Sequence, residues 1–171
     1  MSIFGAYVPV SGWTVLVMLL GGAVSVLFAP RIARRRGWRQ APAVVTALLL
    51  TAVASVTLTP GDETHANGVE ACLPDGLSDL VSVGLHSGGG VAGNLLNVVL
   101  MFPFAGAVVV TTGRILPGVV VSLAVPMVVE LVQSVIPGRF CSVSDLLANV
   151  VGGLVGVALG HVLLRQSGRV R

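Results

Sequence analysis

The chain has 171 residues, of which 54% are hydrophobic and only 10% are charged. Its mean hydropathy of +0.96 is too high for a soluble domain of this length, and several apolar runs approach the roughly 20 residues that cross a bilayer. The net charge is +3, but the arginines flank apolar segments and form no basic patch with aromatic residues, so nucleic acid is not an expected partner. We therefore predict a single membrane domain over residues 1–171.

Five apolar segments follow one another along the chain. They lie at about residues 8–28, 41–58, 93–111, 116–136 and 145–164. The first has no basic residue before it and no A-x-A cleavage site after it, so we expect it to remain in the membrane and not to be a cleaved signal peptide. The predicted fold class is all-α: a polytopic membrane helix bundle with about five transmembrane helices.

The positions of the arginines predict the orientation of the bundle. A basic turn is expected after the first segment, another arginine follows the third segment, and three more follow the fifth: Arg31, Arg34, Arg35, Arg36, Arg39, Arg114, Arg165, Arg169 and Arg171. Only Arg139 falls on the other side. Cytoplasmic loops carry an excess of basic residues, so we expect a multi-pass protein of the cell membrane with its N-terminus outside and its C-terminus inside.

Polar side chains interrupt the last three segments near their predicted outer ends. At 1.5 Å per helical residue, Glu130 lies about 10 Å from the outer end of its helix, and Gln133, Asn149 and Asn97 lie about 6 Å from theirs. One acid or arginine at the centre of a transmembrane helix costs about 2.5–3.5 kcal/mol, so such residues suggest a functional site. The predicted ligand-binding set, which we call the polar layer, is Asn97, Glu130, Gln133, Arg139, Asp145 and Asn149.

Three functions fit the polar layer. In the favoured one, an outward-facing pocket binds a lipid headgroup or an envelope precursor, and Arg139 forms a fork on phosphate or carboxylate. In the second, an intramembrane enzyme acts on an envelope lipid with Glu130 as general base and Asp145 as its partner, but no nucleophile or metal set identifies catalytic residues. In the third, the polar layer only ties the helices together.

Glycines recur every four residues in the last segment, at Gly152, Gly156 and Gly160. This spacing allows a neighbouring helix to approach closely. We therefore expect these residues to serve helix packing.

The cysteines and histidines give few further candidates for chemistry. Cys72 and Cys141 are the only cysteines, and both are predicted to lie outside, where a disulfide between them is expected and two free thiols are the alternative. His65, His86 and His161 lack the spacing of a metal site, and there is no Walker or dinucleotide glycine motif. No metal and no cofactor are therefore expected.

The polar residues and glycines of the last three segments resemble the motifs of the VanZ-like membrane proteins. Asn97 followed by Pro103 resembles the family's Asn…Phe-x-Pro-x-Gly helix, and the pair Glu130 and Gln133 resembles its Glu-x-x-Gln. The family's Arg…Asp-x-x-x-Asn-x-x-Gly-x-x-x-Gly is matched in spacing by Arg139, Asp145, Asn149, Gly152 and Gly156. Departures from the pattern are Met101 for Phe, Ala105 for Gly and Ser142 for an acid.

The resemblance places these motifs in residues 94–160, within a VanZ-like core of about residues 41–164. It implies a bacterial integral membrane protein of the cell envelope, in a family linked to glycopeptide (teicoplanin) resistance. Membrane lipids are then the expected partners, with an envelope precursor or a glycopeptide as candidate ligands. The identity of the ligand, any transport and the oligomeric state are left open.

Overall fold

A computed structural model of the chain describes residues 2–3, 6–7, 11–61, 90–139 and 141–167. Most of them form five helices: α1 (Gly12–Arg36), α2 (Gln40–Thr57), α3 (Gly90–Thr112), α4 (Ile115–Gln133) and α5 (Val143–Gln166). Each helix is long and apolar enough to cross a membrane. The prediction of an all-α bundle with five membrane-spanning helices is therefore confirmed. A small antiparallel pair of two-residue strands, β1 (Ser2–Ile3) and β2 (Ala6–Tyr7), was not predicted.

The predicted basic turn is wrong for Arg31, Arg34, Arg35 and Arg36, which are helical, whereas Arg39 does lie between α1 and α2. Helix α1 continues through Pro30 and ends at Arg36, where Gly37, with φ of 68°, donates its N–H to the carbonyl groups of Ala33 and Arg34. Three arginines therefore occupy the last helical turn, where cations interact favourably with the helix dipole. At the other end, Ser11 and Thr14 form a capping box. The four later segments agree with α2–α5 to within three residues at each end.

Helices α3 and α5 make the most extensive contact in the bundle. A Cβ atom added at Gly152 or Gly156 would overlap the carbonyl oxygen of Val98 or Phe102, and one added at Gly160 would lie 2.7 Å from the carbonyl oxygen of Gly106. These glycines therefore let the two backbones approach closely, and the predicted packing role is confirmed. Helix α1 packs mainly on α2, and α4 packs on α5 and α3.

Two small apolar cores lie on either side of α3. One lies mainly between α2 and α3, and its buried members are Val53, Met101, Phe104 and Val108. The other lies between α3 and α5, and its buried members are Ala105, Val109, Val157 and Leu164. Many large apolar side chains of all five helices are exposed on the outside of the bundle. A membrane-spanning bundle presents such surfaces to lipid.

Hydrogen bonds between helices show which helix ends lie together. The hydroxyl groups of Thr46 in α2 and Thr111 in α3 are 2.9 Å apart. After the end of α2, the N–H of Gly61 donates to the carbonyl of Pro137 at 3.1 Å. We call the end with the α4–α5 turn the polar end. The opposite end, which we call the basic end, holds the α1–α2 turn, the α3–α4 turn and the C-terminus of α5.

Candidate functional site

The first contact in the polar layer joins Glu130 of α4 to the start of α5. Glu130 is 5% exposed, and its Oε2 accepts the backbone N–H of Ser142 at 2.8 Å. Ser142 is the N-cap of α5, and its hydroxyl accepts the N–H of Asp145 at 3.4 Å. The first N–H groups of a helix lack intrahelical partners and carry partial positive charge, so a carboxylate is favourable at this point.

Asp145 is joined to α3 by a different contact. It occupies the third helical position, where the acid of a capping box accepts the N–H of the N-cap residue. Glu130 takes that N–H here, and Asp145 forms a side-chain hydrogen bond with Asn97. The start of α5 is therefore tied to both α3 and α4. The spacing Ser-x-x-Asp over residues 142–145 is a sequence signal that points to Ser142 as an N-cap.

Gln133 and Arg139 cap the C-terminal end of α2. Nε2 of Gln133 donates to the carbonyl oxygen of Thr57 at 2.7 Å. Nε and Nη2 of Arg139 donate to the same oxygen at 3.1 and 2.7 Å, and Nη2 also donates to Val56 O at 3.3 Å. The last carbonyl groups of a helix lack intrahelical partners, and cations are favourable beside them. The Nε–Nη2 edge of Arg139, one of two edges that can form a fork on an anion, is therefore engaged by α2.

The three ionisable side chains of the polar layer act on one another. Burial lowers the pKa of the Arg139 guanidinium, and the negative charges of Asp145 and Glu130 act in the opposite direction. Arg139, Asp145 and Glu130 belong to the α4–α5 turn, α5 and α4, so one electrostatic cluster links these three elements at the polar end.

Asn149 differs from the other members of the polar layer. It is 4% exposed, and its Oδ1 is the buried side-chain oxygen for which the described residues offer no hydrogen-bond partner. Asn149 lies four residues after Asp145, so both side chains emerge from the same face of α5. A buried acceptor without a partner costs about 1–3 kcal/mol. A group of this kind in a native site calls for a physical explanation, such as a ligand or water that donates to it.

The six residues of the polar layer therefore lie together at one end of the bundle. A family model of VanZ/LLP1 matches residues 16–164. The chain belongs to the VanZ/LLP1 family. The match begins well before the predicted core boundary at residue 41, so it includes most of α1. Neither a curated protein nor a solved structure matches the chain.

The departures of this VanZ/LLP1 protein from the motif of α3 fall in the packed core. Met101 is 1% exposed and Ala105 is fully buried. The close approach to α5 is made one residue later, where a Cβ atom added at Gly106 would lie 2.9 Å from the carbonyl oxygen of Gly156. Gly106 therefore takes the packing role that the motif assigns to position 105.

Cys141 is buried directly before Ser142, and it is 8% exposed. Its predicted disulfide partner, Cys72, lies outside the described residues, so the disulfide remains a prediction. His65 and His86 also lie outside them. Within the described ranges, no group of three or more His, Cys, Asp or Glu residues is arranged to hold a metal ion. In this VanZ/LLP1 protein, Thr57 is a site residue that the sequence did not indicate, and Ser142 was named only as a departure from the family motif.

Proposed function

We propose that this VanZ/LLP1 membrane protein binds the polar headgroup of an envelope lipid or lipid-linked precursor in the polar layer. The observation that supports this most strongly is the buried Oδ1 of Asn149, which has no hydrogen-bond partner in the described part of the chain. A ligand N–H or O–H that donates to this oxygen would recover about 1–3 kcal/mol. The site therefore favours headgroups with a donor, such as ethanolamine or glycerol, over choline, which has none.

The charges of the polar layer suit a headgroup that carries both signs. Arg139 offers a positive charge, and Glu130 and Asp145 offer two acidic groups close to it. In the proposal, Arg139 attracts phosphate through its charge while its Nε–Nη2 edge continues to cap α2. The acids accept from ammonium or hydroxyl groups. Such interactions are stronger in a partly desolvated site than in water.

The test is thermal unfolding of the detergent-purified protein with phosphatidylethanolamine or phosphatidylcholine of identical acyl chains. We expect phosphatidylethanolamine to raise the midpoint of the wild type more than phosphatidylcholine does. Asn149→Leu should abolish this difference. The same variant should unfold at an equal or higher temperature without lipid, because it removes an unsatisfied buried acceptor.

A matched control places a leucine on the lipid-facing side of the same helix. Val155 is half exposed, so Val155→Leu should leave the lipid response intact. An unchanged response in Asn149→Leu would contradict the proposal. Teicoplanin belongs in the same ligand panel. If expression of the protein lowers teicoplanin susceptibility of a bacterium, Asn149→Leu should remove that effect as well.

A second candidate function is purely structural, and specific contacts favour it. Glu130, Gln133, Arg139 and Asp145 each bind a group on another element. In that case phosphatidylethanolamine raises the midpoint of the wild type no more than phosphatidylcholine does, and Asn149→Leu is simply more stable. Turnover of an added lipid that stops in Glu130→Gln would favour the enzymatic alternative instead.

A further inference from the structure

A lateral groove lies toward the basic end of the bundle, away from the polar layer. Its volume is about 580 Å³, within the size range of ligand pockets, and residues of α2, α3 and α5 line it. The walls are apolar and include Val45, Phe102, Val110, Leu159 and Leu163. Among the described residues, Arg39 is the one charged residue in its lining. An apolar groove with a single cation at one end is complementary to a lipid that joins an anionic headgroup to apolar acyl chains.

The length of the groove matches one leaflet of a bilayer. Phe102 and Val110 bound it along α3, and their separation of eight positions corresponds to about 12 Å of helix. Half of a hydrocarbon core is about 15 Å thick. Gly106, Gly156 and Gly160 lie in the lining, and their close packing joins α3 and α5 as the floor of the groove. The groove therefore fits a single acyl chain that lies along α3 and α5.

Positive charge is concentrated at the mouth of the groove. Arg39 is the N-cap residue of α2, and its side chain makes no capping hydrogen bond with the first turn of this helix. The first N–H groups of a helix carry partial positive charge and bind phosphate. Ala41 and Pro42 of this turn line the groove beside Arg39. The Arg39 side chain is exposed, and no described residue forms a hydrogen bond or ion pair with its guanidinium. An anion at the mouth would meet both the guanidinium and the helix N-terminus.

We propose that this groove binds one anionic phospholipid, with its phosphate at Arg39 and the N-terminus of α2 and one acyl chain between α3 and α5. A second copy of the chain is a poorer occupant, because a two-fold contact here would bring the same arginine-rich ends together. In the predicted orientation, the lipid belongs to the cytoplasmic leaflet. This site is therefore separate from the polar layer, and its test does not depend on the proposed function.

The test is native mass spectrometry of the detergent-purified Asn149→Leu variant, whose polar layer is expected not to distinguish the headgroups, with phosphatidylglycerol or phosphatidylcholine of identical acyl chains. We expect the first phosphatidylglycerol to bind about fivefold more tightly than phosphatidylcholine, as one basic residue near an anionic headgroup implies. Arg39→Gln should reduce this ratio to about one. Arg114→Gln, at an exposed arginine of the same end that does not line the groove, should retain it.

A second pair of variants tests the acyl-chain position. Ala107 lines the groove, so Ala107→Leu should fill it and weaken binding of both lipids. Ala158→Leu, at an exposed position of α5 outside the lining, should not. An unchanged ratio in Arg39→Gln, or equal lipid binding in the two leucine variants, overturns the proposal. Loss of a dimer in Ala107→Leu with unchanged lipid binding also overturns it and assigns the groove to self-association. If Ala107→Leu does not fold, the comparison of Arg39→Gln with Arg114→Gln tests the proposal by itself.

Discussion

Three side-chain donors converge on a single backbone oxygen, the carbonyl of Thr57. Gln133 and Arg139 supply them, at distances of 2.7 to 3.1 Å. A carbonyl oxygen has two lone pairs, so either side chain alone can satisfy most of its hydrogen-bonding capacity. The residues are therefore partly redundant as caps of α2, and their contributions to stability are not independent.

This redundancy predicts a non-additive double-mutant cycle. Gln133→Leu alone should lower the free energy of unfolding by less than about 1 kcal/mol, because Arg139 still binds Thr57 O. The double variant Gln133→Leu with Arg139→Leu should lose about 0.5–1 kcal/mol more than the sum of the single variants. Unfolding by sodium dodecyl sulfate in mixed micelles measures these values. Gln166→Leu, at the exposed end of α5, should be neutral. An additive cycle would show that the two donors do not share the carbonyl.

The residues of the polar layer were predictable from sequence, but their partners were not. Acids, amides and an arginine at membrane depth stand out in an apolar chain, and helical spacing places Asp145 and Asn149 on one face. The acceptor for Gln133 and Arg139 is a backbone carbonyl of Thr57, which no side-chain pattern marks. Likewise, the N–H of the N-cap residue Ser142 donates to Glu130 and not to Asp145, which depends on how α4 approaches α5.

Among the helices, the contact between α3 and α5 depends on backbone proximity. The space that a Cβ atom at Gly156 would need is taken by the carbonyl oxygen of Phe102, and a backbone carbonyl in a packed helix cannot move aside as a flexible side chain can. The same contact shapes the groove, because Gly156 and Gly160 lie both in the interface and in the groove lining.

We therefore predict opposite effects for the same substitution at two helical glycines. Gly156→Ala should lower the free energy of unfolding by about 1–3 kcal/mol, since it overpacks the interface. Among the described residues, a Cβ atom added at Gly22 in α1 would meet only a side-chain carbon of Leu48, at 3.9 Å, so Gly22→Ala should gain about 0.5–1 kcal/mol from helix propensity. Detergent unfolding of both variants measures the difference. Equal stability of the two variants would contradict the close approach of α3 and α5.

The presence of each helix was easier to predict from the sequence than the residues at which the helix begins and ends. Long apolar runs located all five spans, because only a helix satisfies its own backbone in lipid. The end of α1 was placed too early because its last apolar residues were taken as the boundary. Arginine is a good helix former, and the true stop signal is Gly37 in the left-handed conformation. Within α3, the close backbone approach to α5 is made at Gly106, one residue after the position where the family motif has glycine.

At the scale of the whole molecule, the buried polar residues and the exposed arginines lie at opposite ends of the bundle. The polar end holds acids and amides that are largely buried, whereas the arginines of the basic end are exposed. Buried polar groups bind partners within the protein or a ligand, while exposed arginines are free to meet lipid phosphates. The two proposed lipid sites follow from this separation, because each requires a different end of the bundle.

The same separation predicts the orientation of the protein in the membrane. All the described arginines except Arg139 lie at the basic end, and basic residues are retained on the cytoplasmic side. A green fluorescent protein fused after residue 171 should therefore fluoresce, and alkaline phosphatase fused at the same position should be inactive. The reverse pattern would contradict the predicted orientation.

A variant with fewer arginines at the basic end tests whether their charge determines the orientation of the protein. Replacing Arg34, Arg35 and Arg36 by glutamine removes three charges from the last turn of α1, close to the end of a span, where they weigh most on orientation. We expect part of the population to invert, so alkaline phosphatase activity of the C-terminal fusion should rise. Arg139→Gln is the matched control, because removing the opposing charge should strengthen the original orientation. An equal rise in both variants would mean that misfolding, and not charge, exposes the fusion.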